Sequence, residues 1–361
     1  MPLLSRRLLV LLALAAVAAP VLALVLWGRV RGPGPVRVAS RLGLVGLAQL
    51  TAVLLACVAV NDYGYFYASW SDLLGTGPQQ VAVTTTHVGA APVAASPSAA
   101  GTPGQGRLQT MELRGATTGL SQQSMVYLPP QYLAGRRDLP VVEVLTGFPG
   151  TELNLVRRLH YPELLLRGIR SGTVPPMVLV LLRPTLVPPR DTECTDVPHG
   201  PQALSWFTRD VPLAMQRSFG LTTTSYGVIG DSTGGLCAVK MALLHPERFR
   251  AAAALSGYYR AVQDRTTGDL YGGSRSVRLH NDPMWRLQHL PAPRTSLFIA
   301  TSKQERGPDG YASAQALLRA VRAPLSADEL VQATGGHNFT TWSREIPAAL
   351  VWLGQHLDAG R

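Results

Sequence analysis

The chain has little charge, little lysine and little cysteine. Charged residues are 15% of its 361 positions, against 46% hydrophobic, which places part of the chain in lipid. Lys240 and Lys303 are the only lysines, and residues 1–60 contain six arginines and no acid. The remainder therefore carries 27 bases against 22 acids, a net charge of +5 that forms no basic stripe. With no nucleic-acid motif either, a nucleic-acid partner is not expected. The high pI comes instead from arginines that flank apolar segments. No cluster of His, Cys, Asp or Glu has zinc-ligand spacing, so the sequence implies no metal and no cofactor. No internal repeat is visible.

Two long apolar runs are present. Leu8 to Trp27 is 20 residues without a charge, and Leu42 to Val60 is 19 more. Each can cross a hydrocarbon core of about 30 Å. Tyr63, Tyr65, Phe66, Tyr67 and Trp70 follow the second run and read as an interfacial aromatic belt. Residues 1–75 are thus expected to form a membrane anchor with helices at 8–27 and 42–60. Arg29, Arg31, Arg37 and Arg41 lie between the runs, against Arg6 and Arg7 before them and none just after. The positive-inside bias puts that short loop in the cytoplasm and both termini outside, giving a multi-pass cell-membrane protein with an extracellular C-terminal domain. The alternative is a first run cleaved as a signal peptide near Ala16–Ala19.

Residues 76–106 are rich in Pro, Ala, Ser and Thr with little charge. Such a stretch cannot bury enough apolar area to offset its ordering entropy and reads as a flexible linker. Residues 107–361 read as one domain. Eight strand candidates, at 107–114, 124–128, 140–145, 176–182, 225–229, 251–255, 296–300 and 328–333, alternate with helical patterns at 205–219, 233–245, 310–322 and 343–357. That alternation predicts an α/β architecture, a mostly parallel sheet covered by helices on both faces.

One motif carries chemistry. The short apolar run Ser225–Ile229 leads into Gly230-Asp231-Ser232-Thr233-Gly234, and an apolar helix follows. This is G-x-S-x-G between a strand and a helix. A sharp turn there projects the serine from the strand end, and glycine neighbours permit the close packing. Ser232 is the candidate nucleophile, at a helix N-terminus that favours developing negative charge. The bland alternative is a Gly-Ser turn capping an ordinary helix.

A base is expected in a loop after the last strand, and His337 follows Gly335-Gly336 there. The acid is expected after the seventh strand. Glu305 is the first choice, with Asp309 the alternative. Thr233, directly after the nucleophile, and Phe148, in the loop after the third strand, are the candidate oxyanion donors; Pro149 has no N–H to offer.

Together these pieces resemble the putative-esterase family of α/β-hydrolases, which includes enterochelin esterases, S-formylglutathione hydrolases and antigen 85 mycolyltransferases. The resemblance spans about residues 107–357. It rests on Met125-Val126-Tyr127-Leu128-Pro129, on Gly230–Gly235 with Ala238, on His245-Pro246-Glu247-Arg248-Phe249, on Leu255-Ser256-Gly257, and on Gly335-Gly336-His337 with Trp342. It implies the eight-stranded α/β-hydrolase fold and a Ser232–His337–Glu305 triad. The match at Thr301-Ser302-Lys303-Gln304-Glu305 is loose, and the family's trehalose or siderophore contacts have no counterparts here. Hydrolysis of a carboxylic ester is the leading expectation. Acyl transfer to a sugar or lipid acceptor, with an envelope lipid or glycolipid as partner, and a catalytically silent binding module are the alternatives. Of the three cysteines, Cys57 lies in the second apolar run. In an exported domain Cys194 and Cys237 invite a disulfide; the alternative is a buried free thiol at Cys237 and an exposed one at Cys194.

Overall fold

The computed structural model describes residues 5–64, 70, 83–87, 104–305, 307, 308, 310–333 and 335–358. It divides into two compact units, Met1–Gln80 and Val81–Arg361.

In the first unit, α1 (Arg6–Trp27) and α2 (Gly34–Gly64) are both long and apolar enough to cross a membrane. Leucine and valine side chains stand exposed along both, the pattern of helices without a protein core to cover them. The helix α2 starts eight residues before the run at 42–60, because arginines inside it do not stop a helix as they bound an apolar run. Of the expected aromatic belt, Trp70 is exposed and residues 65–69 lie outside the described residues.

The second unit is built on one sheet. Its strands are β1 (Val83–His87), β2 (Arg107–Arg114), β3 (Ser121–Leu128), β4 (Val141–Leu145), β5 (Val178–Leu182), β6 (Tyr226–Asp231), β7 (Phe249–Leu255), β8 (Ser296–Ser302) and β9 (Ser326–Gln332). Their order is β1-β2-β3-β5-β4-β6-β7-β8-β9. The six strands from β5 to β9 run parallel, and β3 is antiparallel to both of its neighbours. The eight strands expected from sequence are all present. A ninth strand, β1, lies within residues 76–106. Its Val-Thr-Thr-Thr run favours strand, and it pairs in parallel with β2.

Alternation along the buried strands divides the core. Val142, Val144, Leu179, Leu181, Ile229, Ala251 and Ala253 pack with α4 (Tyr161–Ser171) and α8 (Phe339–Asp358) on one face. Val141, Leu145, Val180, Val228, Ala252 and Ala254 pack with α5 (Val211–Phe219) and α6 (Thr233–Leu244) on the other. The shorter α3 (Glu152–Arg157) follows β4, and α7 (Tyr311–Ala320) follows β8. Glu143 is the polar exception in β4: it is fully buried, and burial holds its carboxyl well above the ordinary range. The helix expected at 205–219 is interrupted by a π-helical turn, Trp206–Asp210, with Asp210 accepting hydrogen bonds from the Thr117 and Thr118 amides.

The sheet order reverses around β4, whose neighbours are β5 on one side and β6 on the other. In open α/β sheets the crevice beyond the carboxyl ends at such a point is where ligands bind. Leu145 pairs with Gly230, so the loop leaving β4 lies beside the turn leaving β6.

Cys194 and Cys237 are joined by a disulfide, with Cα atoms 5.6 Å apart. The bond spans 43 residues and ties the loop after β5 to α6, both cysteines being fully buried. By the chain-entropy account, Cys194→Ala/Cys237→Ala should lose about 4 kcal/mol. In thermal unfolding of the detergent-solubilised chain that is a fall on the order of 10 °C, and an unchanged midpoint would refute it.

Candidate active site

At the end of β6 the backbone turns sharply. Ser232 has φ +54° and ψ −119°, a conformation that L-residues rarely adopt and that persists where its surroundings enforce it. The turn is made possible by Gly230 and Gly234: a Cβ on Gly230 would collide with the Gly234 backbone, and one on Gly234 with the Leu145 carbonyl. The Ser232 amide donates to the Leu255 carbonyl at 3.0 Å, which anchors the turn to β7.

His337 reaches this serine from the loop after β9. Its Nε2 lies 2.9 Å from Ser232 Oγ. Its Nδ1 faces Glu305 Oε1 at 3.5 Å, long for a hydrogen bond and within ion-pair range. The imidazole is one-third exposed, whereas the Glu305 side chain is almost wholly buried. Glu305 Oε2 accepts from Thr301 Oγ1 at 2.9 Å and from the Ser302 amide at 3.1 Å, which fixes the carboxylate plane. Ser302 Oγ donates to the Gly335 carbonyl at 2.8 Å, stitching the acid loop to the histidine loop. The Trp342 ring meets the imidazole edge-on with centroids 5.1 Å apart. The structure thus brings together Ser232, His337 and Glu305. Asp309 lies outside the described residues.

The two expected oxyanion donors sit on adjoining elements. Thr233 is the first residue of α6, where an amide has no carbonyl of its own helix to bond. Phe148 is in the loop after β4, half-buried and followed by a cis peptide to Pro149. The preceding Gly147 amide donates to Asp231 Oδ2 at 2.8 Å, so the loop is held against the nucleophile turn by a buried carboxylate. Asp231 is a residue that sequence reading left unassigned. Its signal was an acid in the variable position of G-x-S-x-G, at the end of an otherwise apolar strand.

Two further carboxyls crowd this region. Burial pushes Asp231 up to about 7, opposed by the Gly147 amide and by His337. Burial also pushes Glu345, on α8, up to about 8; the Gln332 hydrogen bond opposes this, and the charges of Glu305 and Asp231 add to it. Glu345 Oε1 accepts from Gln332 Nε2 at 2.7 Å, and its Oε2 is buried without a hydrogen-bond partner. Since its folded value lies above its unfolded one, the stability linked to Glu345 is fully present below about 4.5 and is lost progressively as pH rises through about 8. Glu345→Gln should therefore flatten the fall in unfolding midpoint between pH 5 and 8.5, by an amount worth roughly a few kcal/mol. Parallel pH profiles for the variant and the wild type would count against this.

Among the described residues no group of three or more metal-ligating side chains is found.

Residues 116–353 match the model of a family described as "Putative esterase". Several solved structures are similar over most of this unit. S-formylglutathione hydrolase from Agrobacterium tumefaciens is 18% identical, covering 71% of this chain and 98% of its own at a TM-score of 0.59. A fluorophosphonate-binding serine hydrolase of Staphylococcus aureus is 18% identical, over 69% and 98%, at 0.56. MPT51 of Mycobacterium tuberculosis is 14% identical, over 68% and 97%, at 0.51. At these identities the likeness is one of fold. No curated protein matches the chain.

Proposed function

The chain belongs to the putative-esterase family, and on that footing we propose that it is a serine hydrolase that cleaves carboxylic esters through an acyl-enzyme at the cell envelope. The observation that carries the reading is the contact of His337 Nε2 with Ser232 Oγ at 2.9 Å, with a buried carboxylate on the other ring nitrogen. In this mechanism His337 removes the Ser232 proton as Oγ attacks the ester carbonyl. The carbonyl oxygen becomes an oxyanion, received by the N–H groups of Thr233 and Phe148. His337 then gives its proton to the departing alcohol, leaving the acyl group on Ser232. Water, deprotonated by the same imidazole, releases the acid and restores the serine. Glu305 holds the imidazole tautomer and stabilises the imidazolium.

An acyltransferase would use the same acyl-enzyme with a sugar or lipid hydroxyl in place of water. MPT51, the fold neighbour from Mycobacterium tuberculosis, shares only the fold and assigns no acceptor site here. A silent binding module would have no need to hold Ser232 in a strained conformation.

The helices α1 and α2 are proposed to span the membrane, with residues 81–361 outside. The arginines between them support that orientation, and a disulfide persists mainly in oxidising compartments. Protease shaving of intact cells stripped of outer wall tests it. A fluorophosphonate-labelled domain lost on shaving is the expected result, and full protection until lysis would overturn the orientation.

A further inference from the structure

The loop after β5 runs Arg190-Asp191-Thr192-Glu193-Cys194-Thr195-Asp196. Polar loops normally lie at the surface, yet residues 191–195 are all buried. Three restraints hold them. The disulfide ties Cys194 to α6. Lys240, also on α6 and buried, donates to the Glu193 carbonyl at 2.6 Å and to Thr195 Oγ1 at 3.0 Å. The Asp191 amide donates to the Thr266 carbonyl at 3.0 Å. Glu193 and Cys194 are both left-handed, at φ +45° and +48°. Two consecutive non-glycine residues in that region are strained, and such strain survives where the surroundings over-determine it.

The restrained loop meets the nucleophile turn at one side chain. Thr233 Oγ1 donates to Asp191 Oδ2 at 3.2 Å, and Tyr258 Oη packs beside it at 3.3 Å. Asp191 is fixed from behind, its Oδ1 accepting the Glu193 amide at 3.0 Å. Tyr258 is fixed likewise, its hydroxyl donating to Glu193 Oε1 at 2.8 Å, and Tyr271 Oη reaches Glu193 Oε2 at 3.4 Å. Thr233 is the first residue of α6, where backbone N–H groups lack intrahelical partners to hold their direction. A side-chain clamp supplies that missing constraint.

We propose that Asp191 is a positioning residue for the reaction at Ser232: it accepts the Thr233 hydroxyl and thereby fixes the backbone N–H that receives the oxyanion. The inference rests on the serine-hydrolase reading and deepens it. Asp191 need not touch substrate, and the disulfide and Lys240 serve the site by holding the loop that carries it.

The test compares Thr233→Val, Thr233→Ser and Asp191→Asn in the full-length chain with p-nitrophenyl acetate and its thionocarbonyl analogue. In the analogue the developing charge falls on sulfur, a weaker hydrogen-bond acceptor, so the ester-to-thionoester rate ratio reports on the aim of the oxyanion donors. Removing such a donor outright costs about 10²–10³ in kcat, so a misaimed one should cost about tenfold to a hundredfold. Thr233→Val should lose that much kcat on the ester, with KM moved by no more than about twofold, and the rate ratio should fall with it. Thr233→Ser should recover most of the loss. Folded Thr233→Val with wild-type kcat and ratio would overturn the inference, as would a loss of activity that leaves the ratio unchanged. If Thr233→Val does not fold, Asp191→Asn decides between the same two outcomes by the same readouts. Retained turnover in Ser232→Ala would instead sink the serine-hydrolase reading itself, a failure distinct from either.

Discussion

Ester turnover in Ser232→Ala is expected to fall on the order of 10⁴-fold or more, with fluorophosphonate labelling lost and the fold intact. The fold should survive because alanine leaves the turn's glycines in place and removes an oxygen whose partner, His337 Nε2, stays partly exposed to water. Relief of the positive φ is not expected, since alanine is no freer than serine there. His337→Ala should lose activity to a similar degree. The double variant should lose little beyond either single one, because a nucleophile without its base and a base without its nucleophile are equally idle. Additive losses would mean that the two act separately. Unchanged turnover in Ser232→Ala would remove the nucleophile from the account altogether.

Much of this site was legible because its parts are local. The Ser232 turn announces itself through glycines at fixed offsets, and His337 through the Gly-Gly pair before it. The strands were legible where they are buried on both faces, since a continuous apolar run such as Val178–Leu182 needs no partner to be recognised. The start of β3 was missed because Ser121, Gln122 and Gln123 are polar, and β2 recruits them by antiparallel pairing. The edge strand β1 was hidden by its surroundings: four β-prone residues, Val83 to Thr86, sit inside a stretch whose average composition is that of a linker. The clamp on Thr233 could not be read at all. Asp191 is 42 residues away in sequence, and the contact exists only because the loop after β5 folds back over α6. Asp231 shows the same limit at short range. Its place in the motif was plain, but its bond to the Gly147 amide depends on β4 and β6 being neighbours.

Glu305→Gln should slow turnover by on the order of 10³–10⁴-fold, the cost seen when a triad acid becomes an amide. The carboxylate performs two tasks that glutamine cannot repeat. First, its Oε2 accepts from both Thr301 Oγ1 and the Ser302 amide, which turns Oε1 toward His337 Nδ1 at 3.5 Å. An amide must present its carbonyl oxygen to those two donors, so its NH₂ group takes the Oε1 position and faces Nδ1 as a donor. The imidazole is then driven into the tautomer with the proton on Nε2, the nitrogen that must accept the Ser232 proton. Second, the charge that stabilises imidazolium in the transition state is gone. The loss should therefore fall on kcat with KM little changed, and raising the pH should not restore it, since no titration returns the lost charge. Asp309→Asn provides the contrast. If Glu305 is the acid, that variant should turn over within about threefold of wild type, because the charge that stabilises the imidazolium stays on Glu305. A crippled Asp309→Asn beside an active Glu305→Gln would reassign the acid to Asp309. The discriminating measurement is kcat and KM for both variants on one chromogenic ester, with unfolding midpoints to show that each is folded.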